Sequence, residues 1–243
     1  MRETTHSHAT EDETHPDTID WDRFWTEADE GDAADASPSG EHVVDALPDF
    51  FAARGRPDSF ADVGCGPGVV SFAMAERYPD APVVGYDAAD PVLADNRERA
   101  AERGLDNLAF ERTVLPAFPD REFDAVFSYF TLPYVADVEA ALQNMYDAVA
   151  PGGHLVFNYH NRYARAYWQT MADNPDEYLG EDSGFDADRF EDRFRLLLDG
   201  ENLLSYERIR DALGTWPQSV WSVVDRPDKR WAWRHFPLVF VPK

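Results

Sequence analysis

The chain has 243 residues, 44% of them hydrophobic, which is enough for one α/β domain with a sizeable core. No stretch approaches the roughly 20 apolar residues of a membrane helix, the polar N-terminal stretch lacks the pattern of a secretory signal, and the single cysteine, Cys65, excludes an internal disulfide. These features predict a soluble, cytoplasmic protein that spans no membrane, and the net charge of −25 argues against nucleic acid as a partner because it repels phosphate.

Residues 1–20 are polar and acidic with no apolar period, which predicts a disordered tail. Three histidines in this tail, His6, His8 and His15, raise the question of a metal site. Because no strong ligands are held there at a fixed spacing, a solvated tail is the favoured interpretation, and no metal is predicted.

Two helices are predicted between residues 21 and 57. Trp21, Phe24 and Trp25 recur at i, i+3 and i+4, which places them on one helical face. We interpret these aromatic residues as packing residues rather than ligand contacts. The stretch 37–55 is typical of a second helix that ends near a glycine, and residues 21–57 together form a predicted helical lid.

From residue 58 onwards, short apolar runs alternate with helix-length segments. Five of these runs are predicted strands: SFADVG, PVVGYD, LAFER, FDAVFSYF and HLVFNY. This alternation is typical of a parallel sheet with helices on both faces, whose ligands bind at the carboxyl ends of the strands. Two later runs are candidate closing strands: SVWSVVD and HFPLVFVP.

The stretch ADVGCGPGVVSF, residues 61–72, lies between the first predicted strand and its helix. Gly64 allows a turn that a Cβ would forbid, Gly66 lets the backbone lie against a ligand, and Gly68 lets the helix pack close to the sheet. The start of that helix also presents free N–H groups.

Asp87 ends the second predicted strand, 19 residues after Gly68. A carboxylate at this position can accept hydrogen bonds from both hydroxyls of a ribose. The alternative is that Asp87 only caps the following helix, a role for which Asp90 is also placed. The loop and the acid together favour a cofactor that contains a nucleoside.

The glycine loop reads acid-x-G-x-G-x-G from Asp62, and it resembles motif I of the class I S-adenosylmethionine-dependent methyltransferases. Phe123 and Asp124 match the signature pair of that family in strand four, and the Pro-Gly-Gly turn at 151–153 matches the turn before strand five. The resemblance covers residues 58–158 in order and spacing. It implies an α/β fold of the Rossmann-like type, a three-layer sandwich whose seven-stranded sheet is mostly parallel, with an antiparallel closing strand.

By this resemblance, residues 58–158 form the core that binds S-adenosylmethionine, and residues 159–243 complete the same domain. The implied cofactor residues lie at the ends of the first four strands: Asp62, Gly64, Cys65, Gly66, Gly68, Asp87, Ala88, Glu111, Arg112, Ser128 and Tyr129. The resemblance places Asp62 near the amino group of the cofactor, Asp87 on the ribose and Ala88 beside the adenine. Either Glu111 or Arg112 is expected to reach the adenine edge. Which of the two does so depends on a one-residue gap in the match to the family.

Ser128 and Tyr129 are expected beside the methyl group. Tyr129, Tyr134 and His160 are the candidate catalytic residues, and a base is needed only when the acceptor must lose a proton. Packing remains the alternative for Tyr134, and a hydrogen bond to a loop remains the alternative for His160.

The methyl acceptor is predicted to be a small molecule. Family members that methylate amide or base nitrogens often carry an Asn/Asp-Pro-Pro-aromatic stretch after strand four, where this chain reads SYFT. An acidic insertion at 173–200 is a second candidate lid. The residues just before it are interpreted as one face of an amphipathic helix: Arg162, Arg165, Tyr167 and Trp168.

Two rival functions stay open, a nicotinamide-dependent oxidoreductase and a non-catalytic protein that binds S-adenosylmethionine. Against the first, Val69 stands where the third glycine of G-x-G-x-x-G would fall. The sequence leaves open whether the protein is a monomer or a homodimer. The acid excess, with only Lys229 and Lys243 as lysines, resembles proteins of salt-in halophilic archaea, where molar salt screens self-repulsion over roughly 3 Å.

Overall fold

The computed structural model describes residues 19–28, 36, 40–179, 186–230 and 237–243. The predicted tail up to residue 18, with His6, His8 and His15, lies outside the described residues. Part of the predicted lid insertion, 180–185, lies outside them as well.

Seven strands form one sheet: β1 Phe60–Val63, β2 Val83–Asp87, β3 Leu108–Arg112, β4 Phe123–Ser128, β5 Val149–Asn158, β6 Gln218–Ser219 and β7 Leu238–Pro242. Their order in the sheet is β3-β2-β1-β4-β5-β7-β6. Strands β1 to β5 are parallel, and β7 is antiparallel to its neighbours β5 and β6. The order reverses between β1 and β4, which opens a crevice at their carboxyl ends. The predicted Rossmann-like fold is thereby confirmed.

Helices surround this sheet: α1 Trp21–Glu27, α2 Gly40–Arg54, α3 Val69–Arg77, α4 Asp90–Arg103, α5 Val138–Asp147, α6 Arg162–Asp173, α7 Pro175–Tyr178, α8 Ala187–Arg193, α9 Arg195–Asp199, α10 Tyr206–Leu213 and α11 Pro227–Arg230. Two 3-10 turns interrupt the connections, at Leu132–Tyr134 and Val220–Ser222. Among the described helices, none is long and apolar enough to cross a membrane.

The core has two layers, one on each face of the sheet. In β7, Leu238 and Phe240 join a cluster that includes Phe50 of α2, whereas Val239 and Val241 join the cluster on the opposite face. This period of two is what a strand buried on both faces requires.

The sixth strand differs from the prediction. A strand was expected over 219–225, but β6 consists of Gln218–Ser219 alone and the chain then turns as Val220–Ser222. Val220 and Val224 are the buried residues of this segment. Their spacing of four fits a helical turn rather than a strand, so the prediction was wrong because the valines were assigned the wrong period.

Candidate active site

The glycine loop connects β1 to α3 through a backbone that glycine favours. Gly64 has φ +73° and Gly68, the N-cap of α3, has φ +76°. A Cβ on Gly64 would overlap the side chain of Thr131, which comes from the segment after β4. The loop is therefore shaped both by its own dihedral angles and by a close approach from the neighbouring strand end.

Two side chains of helix α4 hold the loop by hydrogen bonds to its carbonyl groups. Asn96 Nδ2 donates to the carbonyl of Gly66 at 2.7 Å, and Arg99 Nη1 donates to the carbonyl of Pro67 at 2.8 Å. Asn96 is fully buried. These bonds give the carbonyl groups of Gly66 and Pro67 protein partners.

Asp87, the last residue of β2, closes the other side of the loop. Its Oδ2 accepts from the amide of Gly66 at 2.9 Å, and its Oδ1 accepts from the amide of Ala89 at 3.1 Å. Burial raises the pKa of Asp87, and the backbone donors lower it by less. Ala89 is the N-cap of α4 and Asp90 its first helical residue, so the prediction that Asp90 caps this helix was wrong.

Asp62 lies deeper than its predicted role requires. The side chain is buried, and Ser71 Oγ of α3 donates to its Oδ2 at 2.6 Å. Burial raises the pKa of Asp62 from 3.8 to about 7, against the smaller effect of the Ser71 hydrogen bonds. The carboxyl group thus holds β1 to α3 under the loop.

A cavity of about 630 Å³, including its open mouth, lies at the carboxyl ends of β1, β2 and β4. The described residues on the side of the loop and the first three strands are Val63, Gly64, Gly66, Asp87, Ala88, Thr113 and Leu115. The other described lining residues come from α1, position 36 and the segment after β4: Trp21, Trp25, Ala36, Tyr129, Phe130, Thr131, Tyr134 and Val135.

The structure brings some of the predicted site residues to this cavity and leaves others behind its wall. Those that line it are Gly64, Gly66, Asp87, Ala88, Tyr129 and Tyr134. Those that are not among the described lining residues are Asp62, Cys65, Gly68, Glu111, Arg112, Ser128 and His160. Cys65 and Ser128 are buried beneath the surface.

At the end of β3, neither predicted side chain reaches the cavity. Glu111 pairs with Arg121 at 3.4 Å, while Arg112 Nε donates to the carbonyl of Ala88 at 3.0 Å. Thr113, one residue later, lines the cavity instead. The one-residue gap left open by the sequence covered Glu111 and Arg112 only, so Thr113 is a lining residue that the sequence analysis missed.

His160 requires a correction as a candidate base. It is buried, with its ring 5.1 Å from that of Phe130 and 6.3 Å from that of Trp168. Burial lowers the pKa of His160 to about 3, so the imidazole is neutral at pH 7. Its ring neighbour Phe130 lines the cavity, whereas His160 is not among the described lining residues.

Trp21 and Trp25 were interpreted as packing residues, yet both line the cavity. The aromatic face of α1 does pack, because Phe24 is buried. Helix α1 is also tied to the site, since Asp22 Oδ1 accepts from the amide of Asp90 at 2.9 Å. The spacing of the aromatic residues predicted their common face but could not tell what that face meets.

Phe130 is a lining residue that the sequence did not reveal. Its φ of +57° is unusual for a side chain of this size. Asn158 of β5 stabilises this conformation, because its Oδ1 accepts from the amide of Phe130 at 2.7 Å. Residues other than glycine that have a positive φ tend to cluster at functional sites.

Comparison with known proteins adds an independent observation. The model of a family described as a methyltransferase domain matches residues 58–198. Demethylmenaquinone methyltransferase of Thermus thermophilus is 43% identical over 107 residues, which are 44% of this chain and 49% of that protein. Aklanonic acid methyltransferase of a Streptomyces species is 31% identical over 124 residues, 50% of this chain and 54% of that protein. The chain thus spans about half the length of these relatives.

Two solved structures share the fold. One is magnesium protoporphyrin IX methyltransferase from Synechocystis with bound SAH, with a TM-score of 0.56 at 14% identity over 92% of both chains. The other is the plantazolicin methyltransferase BamL with a substrate analogue and SAH, with a TM-score of 0.56 at 13% identity over 79% of this chain and 69% of that one. At these identities the likeness concerns the fold alone.

Proposed function

Since this chain belongs to the methyltransferase domain family, we propose that it binds S-adenosylmethionine and transfers the methyl group to a small-molecule acceptor. The observation that carries the proposal is the meeting of the glycine loop and Asp87 in one cavity, with the Gly66 amide 2.9 Å from the carboxylate. Nucleoside-containing ligands bind where a glycine backbone allows close approach and an acid at the end of the next strand accepts hydrogen bonds from the ribose.

Each part of the cavity has a role in this proposal. Asp87 accepts from the ribose hydroxyls, and Ala88 and Thr113 flank the adenine. The backbone at Gly64 and Gly66 lies along the methionine portion. Asp62 supports the loop through Ser71 rather than through a direct contact with the cofactor.

The chemistry is an in-line displacement at a methyl carbon that the cofactor carries activated on a positive sulfur. A lone pair of the acceptor forms the new bond while the S–CH₃ bond breaks, and its electron pair stays on sulfur to give S-adenosylhomocysteine. The protein aligns the two partners and excludes water. In this proposal, Tyr129 and Tyr134, which line the cavity, orient the acceptor.

We assign the role of lid to α1 and to the segment around α8 and α9. Helix α1 contributes Trp21 and Trp25 to the cavity. The second segment packs behind the site, where Phe194 contacts Tyr134 with ring centres 5.6 Å apart.

The acid excess of the chain supports a further proposal, that the enzyme is adapted to high salt.

Transfer of a labelled methyl group tests the function. Purified protein is incubated with methyl-labelled S-adenosylmethionine and a small-molecule extract of cells, and labelled product is counted. We expect Asp87→Asn to lower the rate at subsaturating cofactor by at least about tenfold, because a charged acceptor is lost. Asp90→Asn, three residues along the chain, is the control and should stay within about twofold of the wild type.

Folded protein that binds S-adenosylhomocysteine but yields no labelled product in any extract would support the non-catalytic alternative. Equal loss of activity in both variants would remove Asp87 from the site.

A further inference from the structure

The lining residues of α1 and of the segment after β4 form a mainly aromatic wall of the cavity. Trp21 and Tyr134 both line the cavity, and their ring centres lie 4.7 Å apart at an angle of 68°. Phe130 continues this wall, with its ring 6.4 Å from that of Tyr134. Such a surface binds flat aromatic molecules through stacked and edge-to-face contacts.

Charge is nearly absent from the described lining. Among the described lining residues, Asp87 alone has a charged side chain. A carboxylate or phosphate on the acceptor would lose its hydration against Trp21 and Tyr134, with no cationic side chain among the described lining residues to pair with it. The net charge of −25 opposes the approach of an anion as well.

Arg193 modifies the aromatic wall from behind. It is the last residue of α8, only 7% exposed, and is not among the described lining residues. Its Nε donates to the hydroxyl of Tyr134 at 3.2 Å, and its guanidinium carbon lies 5.7 Å from the ring centre of Trp21. A cation held against these rings draws their electron density away from the cavity, which favours an electron-rich guest and disfavours a cationic one.

We propose that the methyl acceptor is an uncharged, electron-rich, flat aromatic molecule that packs against Trp21 and Tyr134. This inference rests on the proposed function and names its substrate class. A heteroatom on the ring uses its lone pair to bond the methyl carbon as the S–CH₃ bond breaks. The electron pair of that bond remains on sulfur, and the proton that the heteroatom carried passes to water.

Three probes of matched size test the class, using the full chain saturated with S-adenosylhomocysteine and calorimetric titration. They are 2-naphthol, its saturated counterpart decahydro-2-naphthol, and 2-naphthoate. We expect 2-naphthol to bind about tenfold more tightly than the saturated alcohol, because aromatic contacts are lost. We expect a similar or larger gap to 2-naphthoate, because its carboxylate is desolvated.

Two substitutions test whether the preference for 2-naphthol depends on the aromatic wall. Trp21→Leu should reduce the preference for 2-naphthol over the saturated alcohol to about twofold or less. Trp216→Leu is the matched control, because Trp216 is 48% exposed and lies outside the cavity lining. It should leave the preference unchanged.

The outcomes distinguish a failure of the aromatic substrate class from a failure of the proposed function. Binding of S-adenosylhomocysteine with equal or absent binding of all three probes, or with tighter binding of 2-naphthoate, overturns the aromatic assignment and leaves the proposed function standing. Folded protein that does not bind S-adenosylhomocysteine overturns the proposed function itself.

Discussion

Asp62 and Asp87 end or nearly end adjacent strands, yet their surroundings differ. Asp87 accepts from two backbone amides and lines the cavity. Asp62 faces Ser71 in the interior, where burial raises its pKa to about 7. Because the folded-state pKa lies above the ordinary value of 3.8, the neutral form is favoured by folding, and the stability it contributes is lost as pH rises through about 7.

Asp62→Asn should therefore stabilise the protein in a pH-dependent manner. The amide oxygen can still accept from Ser71, and the ionisation that costs stability is removed. We expect the difference in Tm between variant and wild type to grow between about pH 4 and pH 7, by at least about 3 °C, and then to level off. Thermal unfolding followed by circular dichroism measures this difference, with the exposed Asp58→Asn as control. A difference in Tm that does not change with pH would contradict a buried Asp62 carboxyl group with a raised pKa.

Alanine substitutions at Gly64 and Gly104 distinguish the cost of backbone strain from the cost of steric overlap. Both have positive φ, +73° and +65°, but a Cβ on Gly104 has nothing within 4 Å, whereas one on Gly64 meets Thr131. Gly104→Ala should cost about 1–2 kcal/mol of stability and leave cofactor affinity unchanged. Gly64→Ala should cost more and weaken S-adenosylhomocysteine binding by at least about tenfold.

Thr131→Ala in the Gly64→Ala background should recover only part of the lost affinity, because it removes the overlapping Oγ1 and Cγ2 atoms but leaves the Cβ of residue 131 at 2.7 Å. Denaturant unfolding and calorimetry on the single and double variants measure the coupling. Purely additive effects would show that Thr131 does not set the requirement for glycine.

The sequence predicted those site residues whose roles depend on the local chain. Gly64, Gly66 and Asp87 follow from a strand, a turn and a following strand end, all within one short segment. Thr131 and Phe130 could not be predicted in the same way. Their places depend on which strand neighbours β1 and on the hydrogen bond that the Phe130 amide donates to Asn158 Oδ1 in the turn after β4.

At the scale of elements, α1 and α8 meet through a single buried arginine. The guanidinium carbon of Arg193 lies 5.2 Å from the ring centre of Phe24 and 5.7 Å from that of Trp21. The same helix also carries Arg189, whose ion pair with Glu27 of α1 spans 3.7 Å at the surface. Surface pairs of this kind contribute little, so Arg193 should contribute more than Arg189 to the docking of α1.

Arg193→Met should loosen α1. We expect faster hydrogen exchange at the amides of Phe24 to Glu27 and a higher KM for the acceptor, with a smaller change in kcat, because the wall is displaced rather than removed. Arg189→Met, on the same helix, is the control and should leave exchange and KM near the wild-type values. Equal effects of the two substitutions would show that general destabilisation of α8, and not the Arg193 contacts, is responsible.

The predicted elements were most accurate where periodicity and caps agree. The five parallel strands match their apolar runs, and the C-terminal end of α4 matches Gly104 in the left-handed conformation, although the predicted cap at its N-terminal end was wrong. The sixth strand did not, because a run of valines fits either a strand or a turn until tertiary packing selects one. The role of α1 also required tertiary structure, since an aromatic face packs equally well on a core or over a ligand.

At the scale of the whole molecule, charge is the dominant feature. A net charge of −25 creates self-repulsion in the compact state. Salt weakens this repulsion, since the Debye length falls from about 10 Å at 0.1 M to about 3 Å at 1 M.

The Tm should therefore rise by several degrees between about 0.1 M and 1 M KCl, and change less above that range, where screening is nearly complete. Differential scanning calorimetry across a KCl series measures the rise. A Tm that stays flat or falls over this range would contradict both the repulsion argument and the proposed adaptation to high salt.

The central claim is that the crevice at the ends of β1 and β2 holds S-adenosylmethionine, and calorimetric titration tests it most directly. Folded protein in molar KCl is titrated in parallel with S-adenosylmethionine, S-adenosylhomocysteine and NADH. The account predicts micromolar binding of the first two and no binding of NADH. Binding of NADH alone would contradict it and would assign the glycine loop and Asp87 to hydride-transfer chemistry.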